Sequence, residues 1–437
     1  MPNTPQSMTL VHVRQFSASL LIFFAITLTA QASAPGPATK PPPGASAAAW
    51  NGAWVGSWAA GQMVPGQDDG VPLESLHNAT LRQIVHLSAG GPAIRVRISN
   101  TFGTAPLHLL AVRVARSLSP ASSRIDLASD RGLTFNERAE VLIPAGAEYT
   151  SDPLDYAVGP LSDLAITMQI EAAPEQETGH PGSRATSYLG KDLPASAPEF
   201  PAAQKMDHWY FLSGVDVSAG ADASAIVALG DSITDGHGAT TNGNDRWTDV
   251  LAVRLQRAAP TSGTAVLNEG IGGNRLLADG AGPNALARFD RDVIAQNGVR
   301  YLIVLEGIND IGNLTRTTAA TGAQHEDLVR RLIEAYRQMT MRAHAHGIKV
   351  IGGTILPFMG SGYYHPDASN ELDRQTVNAW IRAPDHFDAV IDFDKVVADP
   401  AHPDHLRPDY DCGDHLHPSP AGYRAMAEAV ALELLRK

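Results

Sequence analysis

The feature that most constrains this fold is the regular alternation of apolar strands and amphipathic helices after residue 223. Residues 225–229 are a continuous apolar run, which is typical of a strand buried on both faces. Later strands are predicted at 265–268, 301–305, 349–355 and 389–393, and helices at 247–259, 285–296, 326–346, 369–381 and 420–435. Strict strand–helix alternation predicts an α/β domain with a parallel sheet and helices on both faces. In such sheets the chemistry lies at the carboxyl ends of the strands.

The first half of the chain has a different pattern, made of short strands. Residues 81–87 and 94–99 alternate polar and apolar side chains, as half-buried strands do. Further strand candidates lie at 109–114, 139–143, 164–170 and 209–217. Many short strands separated by turns predict a β-rich, sandwich-like domain. We therefore place a β-rich N-terminal domain at residues 50–219 and the α/β domain at residues 220–437.

The first 34 residues have the pattern of a secretory signal peptide. Arg14 precedes an apolar core at 20–26, and small residues up to Ala34 offer cleavage sites. The core is too short for a comfortable membrane span, although an uncleaved anchor stays open as the alternative. Residues 35–49 contain five prolines among small residues, which is typical of a semi-rigid linker. The expected location is therefore secreted or periplasmic, with no membrane anchor after cleavage.

Charge and cysteine content narrow the class of partner. The 437 residues include 33 Lys and Arg against 46 Asp and Glu, a formal net charge of −13. Phosphate backbones repel so acidic a chain, and nucleic acid is therefore not expected as a partner. The single cysteine, Cys412, cannot form an internal disulfide or supply a paired Cys/His zinc pattern. The sequence does not indicate an oligomeric state.

Three polar blocks directly follow predicted strands of the α/β domain. Residues 230–236 contain Ser232 at the start of a turn, where the backbone N–H of a serine nucleophile can also stabilise an oxyanion. Residues 268–275 are rich in glycine, which lets the backbone present an N–H to a ligand. Residues 306–310 contain Asn309, whose neutral amide can bind a developing oxyanion. Taken singly, each block also fits an ordinary turn.

A fourth polar block precedes the last predicted helix. Asp414 lies three residues before His417, so its carboxylate can bond the imidazole Nδ1–H and leave Nε2 as a base. A metal site remains open as an alternative, although the candidate ligands lack a recognised spacing: His402, Asp404, His405, Asp409 and Asp411. Cys412 is interpreted as incidental rather than nucleophilic.

Together and in this order, the four blocks resemble the SGNH (GDSL-type) hydrolases, a family named for the Ser, Gly, Asn and His of such blocks. The resemblance covers about residues 223–437, and residues 54–58 and 81–86 also resemble the front half of two-domain secreted bacterial members. The residue two places after Ser232 is Thr234, so the G-x-S-x-G motif of α/β-hydrolases is absent. A flavodoxin-like SGNH fold is therefore favoured over the larger α/β-hydrolase fold.

The resemblance also implies a role for individual residues. Ser232 would be the nucleophile and His417 the general base, with Asp414 orienting the imidazole. The oxyanion hole would consist of the Ser232 N–H, the Gly273 N–H and the Asn309 side chain. No metal and no organic cofactor would be required.

These observations predict a secreted serine esterase that acts through an acyl-enzyme. The expected partner is a small-molecule or polysaccharide ester, with an acetyl or other short acyl group. One alternative is a lipase or thioesterase for longer acyl chains, because Met359, Tyr363 and Tyr364 could line an apolar groove.

A second alternative is a carbohydrate-binding protein with a decayed hydrolase domain. Trp50, Trp54 and Trp58 could stack on sugars, although tryptophans at the start of a domain more often pack in a core. Against decay, all five residues of the expected site are present in the sequence.

Overall fold

The computed structural model describes residues 53–66, 69, 71–220 and 222–436, which fall within one compact unit, Ala47–Lys437. The predicted signal peptide at 1–34, the linker at 35–49 and Trp50 lie outside the described residues. None of the helices in the described part of the chain combines the length and the apolar composition that a membrane span needs.

Antiparallel strands make up the first half of the described chain, as the short alternating runs predict. These strands are β1 (Trp54–Ala59), β2 (Ala79–His86), β3 (Gly91–Ser99), β4 (Leu107–Arg116), β5 (Arg131–Leu133), β6 (Val141–Ile143), β7 (Glu148–Thr150), β8 (Leu154–Val158), β9 (Asp163–Ala172), β10 (Gly179–Pro181), β11 (Ser187–Lys191), β12 (Gln204–Met206), β13 (His208–Tyr210) and β14 (Leu212–Ser218). Short 3₁₀ turns lie at Leu73–Leu76 and Leu127–Ser129.

Two larger sheets organise these strands. One has the order β1-β14-β3-β7, with β8 also paired to β3, and the other has the order β12-β11-β2-β9-β4-β5, with β6 also paired to β4. β10 and β13 form a separate two-stranded pair. Val96 and Val215 from the first sheet share one buried apolar cluster with Val112 and Ile166 from the second. The predicted β-rich, sandwich-like architecture is therefore confirmed.

One predicted strand of this region is two strands in the structure. The segment 209–217 is divided between β13 and β14, because Phe211 adopts the left-handed backbone conformation with φ 57°. Phe211 is fully buried, and its backbone bonds both ways, from its N–H to Thr178 O at 2.9 Å and from Ser99 N–H to its own carbonyl at 2.7 Å. These tertiary contacts hold a conformation that an aromatic residue rarely adopts.

Five parallel strands form the sheet of the second half. They are β15 (Ser224–Gly230), β16 (Thr264–Gly270), β17 (Val299–Leu305), β18 (Lys349–Gly353) and β19 (Ala389–Ile391). The helices are α1 (Ser232–Asp235), α2 (Trp247–Arg257), α3 (Ala285–Phe289), α4 (Ile308–Thr315), α5 (Gly322–Ala345), α6 (Ala368–Arg382), α7 (Phe393–Val397) and α8 (Pro420–Ala429). A π-helical turn follows α3 at Asp290–Ile294, and 3₁₀ turns lie at Ala259–Thr261, Pro408–Tyr410 and Leu432–Leu435.

The order of the parallel strands confirms the predicted flavodoxin-like sheet. The order is β16-β15-β17-β18-β19, which is 2-1-3-4-5 when the strands are numbered along the chain. Parallel crossovers are right-handed, so α2, which leads from β15 to β16, lies on the opposite face from α5, which leads from β17 to β18. The antiparallel pattern ends with β14 and the parallel pattern starts with β15, while the domain boundary at residue 220 stays a prediction.

Five predicted elements of this half are shorter in the structure, and two of them differ only slightly: the strand expected at 349–355 ends at Gly353 and the helix expected at 247–259 ends at Arg257. The helix expected at 285–296 changes to the π-helical turn after Phe289, and the strand expected at 389–393 ends at Ile391, where α7 follows. The last helix ends at Ala429 rather than at residue 435. Carbonyls at this helix end accept hydrogen bonds from the guanidinium of Arg254 in α2, which donates to Ala427 O and, at 2.8 Å, to Val430 O. This side-chain cap satisfies the helix end without a further turn.

The β-rich region packs closely against the edge strand β16. A Cβ at Gly56 would lie 2.9 Å from a side-chain carbon of Leu267, and a Cβ at Gly61 would lie 2.8 Å from Ile271. Ser88 Oγ also accepts a hydrogen bond of 2.9 Å from the backbone N–H of Val266. The first half therefore covers the edge of the parallel sheet beside the loops that follow β15 and β16.

Candidate active site

A continuous chain of hydrogen bonds joins the serine of the first block to the acid of the fourth. Ser232 Oγ lies 2.7 Å from His417 Nε2, and His417 Nδ1 lies 2.6 Å from Asp414 Oδ2. Both contacts fit the tautomer in which Nδ1–H donates to Asp414 and Nε2 accepts from Ser232. Ser232 is 8% exposed and His417 is 7% exposed. The imidazole is thus oriented as a base toward the serine hydroxyl.

Local geometry explains why a carboxylate three residues before the histidine reaches its ring. His415 adopts φ 59°, which folds the segment into a tight turn. Asp414 Oδ1 then accepts the backbone N–H groups of Leu416 and His417 at 3.0 and 2.9 Å. Partial burial raises the pKa of Asp414, but the bonds from the His417 ring and from these amides outweigh it. The pKa of Asp414 is therefore held well below its ordinary value, and the carboxylate stays ionised.

The nucleophile lies in the first turn of α1, immediately after β15. Asp231 caps this short helix, because its Oδ1 accepts the N–H of Ile233 at 2.9 Å. Ser232 is the first helical residue, so its own N–H has no intrahelical acceptor and is available to a ligand. Asn268, near the end of β16, donates from Nδ2 to Thr234 O at 2.6 Å and so ties the turn to the neighbouring strand.

The β-rich region also contacts the nucleophile turn directly. His180, in β10, donates from Nδ1 to Gly61 O at 2.7 Å and lies with Nε2 2.9 Å from Asp235 Oδ1. Arg246 Nε donates to Asp235 O at 2.7 Å. Both His180 and Asp235 are buried. Sequence reasoning missed these residues, because their partners lie 55 and 11 positions away and belong to no recognised motif.

The second and third blocks meet beside this turn. Gly273 has φ 74° in the turn that closes with a bond from Asn274 N–H to Ile271 O, a conformation that favours glycine. Asn309, in α4, donates from Nδ2 to the carbonyl of Asn274 at 2.7 Å and is 2% exposed. Its second amide hydrogen remains available to a ligand. The structure thus brings the Asn309 amide to the Gly273 turn, and their joint role as an oxyanion hole stays a proposal.

We expect Asn309→Ala to lower kcat for ester hydrolysis about 10²–10³-fold, because one donor to the oxyanion would be lost. Asn313→Ala is the matched control, since Asn313 is on the same helix and its amide donates to the backbone carbonyl of Asn309, at 2.7 Å, rather than to the ligand side of the turn. Steady-state kinetics on a p-nitrophenyl ester measure both. Equal kcat in the two variants would remove Asn309 from the oxyanion hole.

Beneath the nucleophile lies a buried cluster of charged groups. Burial raises the pKa of Asp231 to about 7 and that of Asp310 to about 6, and it raises the pKa of Glu306 well above its ordinary value. Arg288, which is also buried, donates to Gly230 O at 3.0 Å and lies 3.5 Å from Glu306. Acids with raised pKa values favour the folded state most below about pH 4, and this contribution is lost as the pH rises toward 7. Arg288 of this cluster therefore holds the end of β15. Because its carboxyl groups are partly protonated at neutral pH, the cluster carries less negative charge than the number of these groups would suggest.

A second histidine stacks on the candidate base. The rings of His237 and His417 have centroids 4.0 Å apart, and His237 Nε2 lies 3.7 Å from Asp414 Oδ2. Arg184 of the β-rich region donates to His237 Nδ1 at 3.1 Å. Partial burial lowers the pKa of His237 to about 4, helped by the neighbouring His417 and by the positive charge of Arg184, so His237 is neutral at pH 7.

The potential metal ligands differ from those expected from sequence. Among the described residues, one group has ligand atoms within 4.8 Å of one another: His237, Cys412, Asp414 and His417. None of the five residues that kept a metal site open belongs to it. A metal ion there would compete with the bonds among Ser232, His417 and Asp414. Desolvation and the Asp414 charge raise the pKa of the Cys412 thiol to about 11, so the thiol is protonated and a poor nucleophile.

Three of the residues behind the two alternative functions, Trp54, Trp58 and Tyr364, pack against other side chains of the protein. Trp58 is buried with its ring against Trp209, centroids 4.8 Å apart, and the Trp54 ring lies under the Arg95 guanidinium. The prediction that such tryptophans pack in a core is confirmed for Trp58. Tyr364 does not line an open groove, because it is 2% exposed and bonded to Asn309.

The match to a protein-family model lies in the C-terminal half of the chain. Residues 228–425 match the model of the GDSL-like Lipase/Acylhydrolase family. A GDSL-like lipase from Bacteroides thetaiotaomicron VPI-5482 is 21% identical, with 48% of this chain and 88% of that chain covered and a TM-score of 0.35. An acetylxylan esterase from Geobacillus stearothermophilus is also 21% identical, with 49% and 95% covered and a TM-score of 0.36. Likenesses of this strength carry no argument about the substrate. No curated protein matches the chain.

Proposed function

We propose, from the match of residues 228–425 to the model of the GDSL-like lipase/acylhydrolase family, that the chain is a secreted serine esterase. It hydrolyses carboxylic esters through an acyl-enzyme. Its substrates carry acetyl or other short acyl groups on glycans or small molecules. The observation that carries the proposal is the chain of hydrogen bonds from Ser232 through His417 to Asp414. A serine hydroxyl that donates to an oriented imidazole is what acyl transfer needs.

In the first step, Ser232 Oγ attacks the ester carbonyl carbon while His417 Nε2 takes the hydroxyl proton. The carbonyl π electrons move to the oxygen, which becomes an oxyanion. The N–H groups of Ser232 and Gly273 and the free amide hydrogen of Asn309 bind this oxyanion. Asp414 stabilises the imidazolium that forms and keeps Nδ1 as the protonated nitrogen.

In the second step, the intermediate collapses and the carbon–oxygen bond to the alcohol breaks. The alcohol leaves with the proton from His417, and the acyl group stays on Ser232. Water then enters, His417 takes its proton, and the same donors hold the second oxyanion until the acid is released. No metal or organic cofactor takes part in either step.

The surroundings of the triad support a short acyl group and a polar alcohol. His237 stacks on the base, Arg184 bonds His237, and Cys412 lies beside Asp414, so these neighbours are polar or weakly polar. The exposed Tyr363 ring is covered by the Arg316 guanidinium, whose carbon lies 3.9 Å from the ring centroid. A long acyl chain needs an apolar wall, whereas the neighbours of the triad are polar side chains that include the Arg184 guanidinium.

Export is proposed from the N-terminal sequence alone. Residues 1–34 have the charged flank, apolar core and small-residue cleavage sites of a signal peptide. N-terminal sequencing of protein from the culture medium and the periplasm of an expressing bacterium tests this. A mature chain starting near residues 33–35 is expected, and an intact Met1 on all recovered protein would contradict export with cleavage.

Acyl-chain preference distinguishes the proposed function from its alternatives. We expect kcat/KM for p-nitrophenyl esters to be highest for acetyl and to fall steadily through butyryl and octanoyl to palmitoyl. The same enzyme should release acetate from an acetylated polysaccharide, measured directly as free acetate. Parallel assays with Ser232→Ala control for contaminating esterases.

Each other outcome points to a specific alternative. A maximum at octanoyl or palmitoyl would favour the lipase or thioesterase. No turnover of any ester, with glycan binding by the same protein, would favour the binding protein.

A further inference from the structure

A buried tyrosine stands directly behind the third expected oxyanion donor. Tyr364, in the loop between β18 and α6, is 2% exposed, and its hydroxyl lies 2.5 Å from Asn309 Oδ1. On its other side, the Asn309 amide nitrogen is 2.7 Å from the carbonyl of Asn274. The Asn309 side chain is therefore held at both ends.

The chemistry of the two partners determines which way the amide points. The Asn274 carbonyl can only accept, so the amide nitrogen of Asn309 has to face it. Asn309 Oδ1 then faces Tyr364, whose hydroxyl has to donate. The reverse orientation would bring two acceptors together at Asn274. Burial raises the pKa of Tyr364 well above its ordinary value, helped by the neighbouring Tyr363, so the hydroxyl keeps its proton throughout any assay range.

The tyrosine ring is placed by a glycine on the same helix as Asn309. A Cβ at Gly312 would lie only 2.4 Å from Tyr364 Cγ, so the ring packs flat against the backbone of α4, three residues after Asn309. Phe358 contacts the ring at right angles, with centroids 6.2 Å apart. These contacts leave the hydroxyl little freedom to move away from Asn309 Oδ1.

We propose that Tyr364 is a positioning residue that holds the Asn309 amide with its free N–H toward the oxyanion. This inference rests on the proposed function, because it concerns the donor that the acyl-transfer mechanism uses. Tyr364 does not touch the substrate. Without its hydroxyl, Asn309 Oδ1 is a buried acceptor that has lost its donor, and the amide is held at one end only, by the Asn274 carbonyl, so its free N–H is less firmly directed at the oxyanion.

The test compares Tyr364→Phe with the matched control Tyr363→Phe. Both remove one phenolic hydroxyl, but Tyr363 is 54% exposed and its ring remains under Arg316. For p-nitrophenyl acetate we expect Tyr364→Phe to lower kcat about three- to tenfold with KM within twofold of wild type. Tyr363→Phe should stay within twofold of wild type in both constants.

A double-mutant cycle with Asn309→Ala identifies the route of the effect. If Tyr364 acts through Asn309, Tyr364→Phe has no further effect on kcat in the Asn309→Ala background. Equal kcat for Tyr364→Phe and Tyr363→Phe would overturn the inference. So would a Tyr364→Phe loss that persists undiminished without the Asn309 side chain, because a general structural role would produce it.

A second readout separates this inference from the proposed function. A fluorophosphonate phosphonylates Ser232 and places its phosphoryl oxygen in the oxyanion hole, so its rate reports the donors without any ester substrate. We expect the phosphonylation rate to follow the same order as kcat: wild type and Tyr363→Phe are fastest, Tyr364→Phe is slower, and Asn309→Ala is slowest. If no ester is turned over but the phosphonylation rates follow that ordering, the proposed function fails and the role of Tyr364 stands. Uniform rates across the variants overturn it.

Discussion

Ser232→Ala is expected to lower kcat for p-nitrophenyl acetate about 10⁶-fold, the loss typical of a missing serine nucleophile. The hydroxyl that would form the acyl bond is absent, and no neighbouring group can replace it. The Cys412 thiol is protonated at neutral pH because its pKa is about 11. Initial rates at high enzyme concentration, corrected for spontaneous hydrolysis, give the residual activity.

The matched control for this variant is a serine outside the site. Ser262 is exposed and its hydroxyl donates to Ala259 O at 3.2 Å, so Ser262→Ala removes a hydroxyl far from the chemistry. It should keep wild-type kcat. A Ser232→Ala enzyme that retained more than a few per cent of wild-type kcat would mean that another residue attacks the ester.

Asp414→Asn is expected to lower kcat about 10⁴-fold while leaving the fold intact. The carboxylate accepts the Nδ1–H of His417 at 2.6 Å, and an amide can instead donate to that nitrogen. The imidazole proton would then move to Nε2, which could no longer take the proton of Ser232. Steady-state kinetics measure the loss, and thermal unfolding checks the fold.

A similar pair elsewhere in the chain gives the control for Asp414. Asp404 Oδ1 lies 2.7 Å from His405 Nδ1, and both side chains are well exposed. Asp404→Asn should leave kcat within twofold of wild type. If Asp414→Asn behaved like Asp404→Asn, Asp414 would have no part in orienting the base.

Ionisation of Asp414 also sets a pH range for this contribution. Its pKa in the folded protein is depressed, so the stability gained from its bonds to His417 is present above the unfolded value of about 4. That stability is lost only as the pH falls through the depressed folded value. Asp414 is therefore not expected to cause a fall in activity between pH 5 and 8.

The parts of the fold that sequence predicts are those determined by local pattern. The apolar run of β15 reads as a doubly buried strand, and the blocks after β15, β16 and β17 follow from the rule that parallel strands end at one edge. The spacing of Asp414 and His417 is equally local, since a three-residue turn joins their side chains.

The parts that sequence does not predict depend on contacts between distant segments. Tyr364 meets Asn309 across 55 positions, and His180 meets Asp235 across 55 positions from another sheet. The left-handed Phe211 and the π-helical turn after α3 follow from tertiary packing, which no local pattern records. Tyr364 illustrates the difference. From sequence alone, an aromatic residue in a glycine-containing loop is a candidate for lining a groove, and only the structure shows that its hydroxyl bonds Asn309.

The β-rich region has a direct structural link to the chemistry. His180 contacts the nucleophile turn through Asp235, and Arg184 contacts His237, which stacks on His417. Through these contacts the β-rich region supports the nucleophile turn and the His237 ring, next to the triad. They do not require a sugar-binding role for its tryptophans, of which Trp58 is buried.

The most direct test of the account is to identify the residue that a fluorophosphonate modifies. The protein is incubated with the reagent, esterase activity is followed with time, and the modified peptide is mapped by mass spectrometry. We predict a single phosphonyl group on Ser232, with activity lost in proportion to its incorporation and no labelling of Ser232→Ala. Full activity in protein that carries the label, or inactivation by labelling of another residue, would contradict the account.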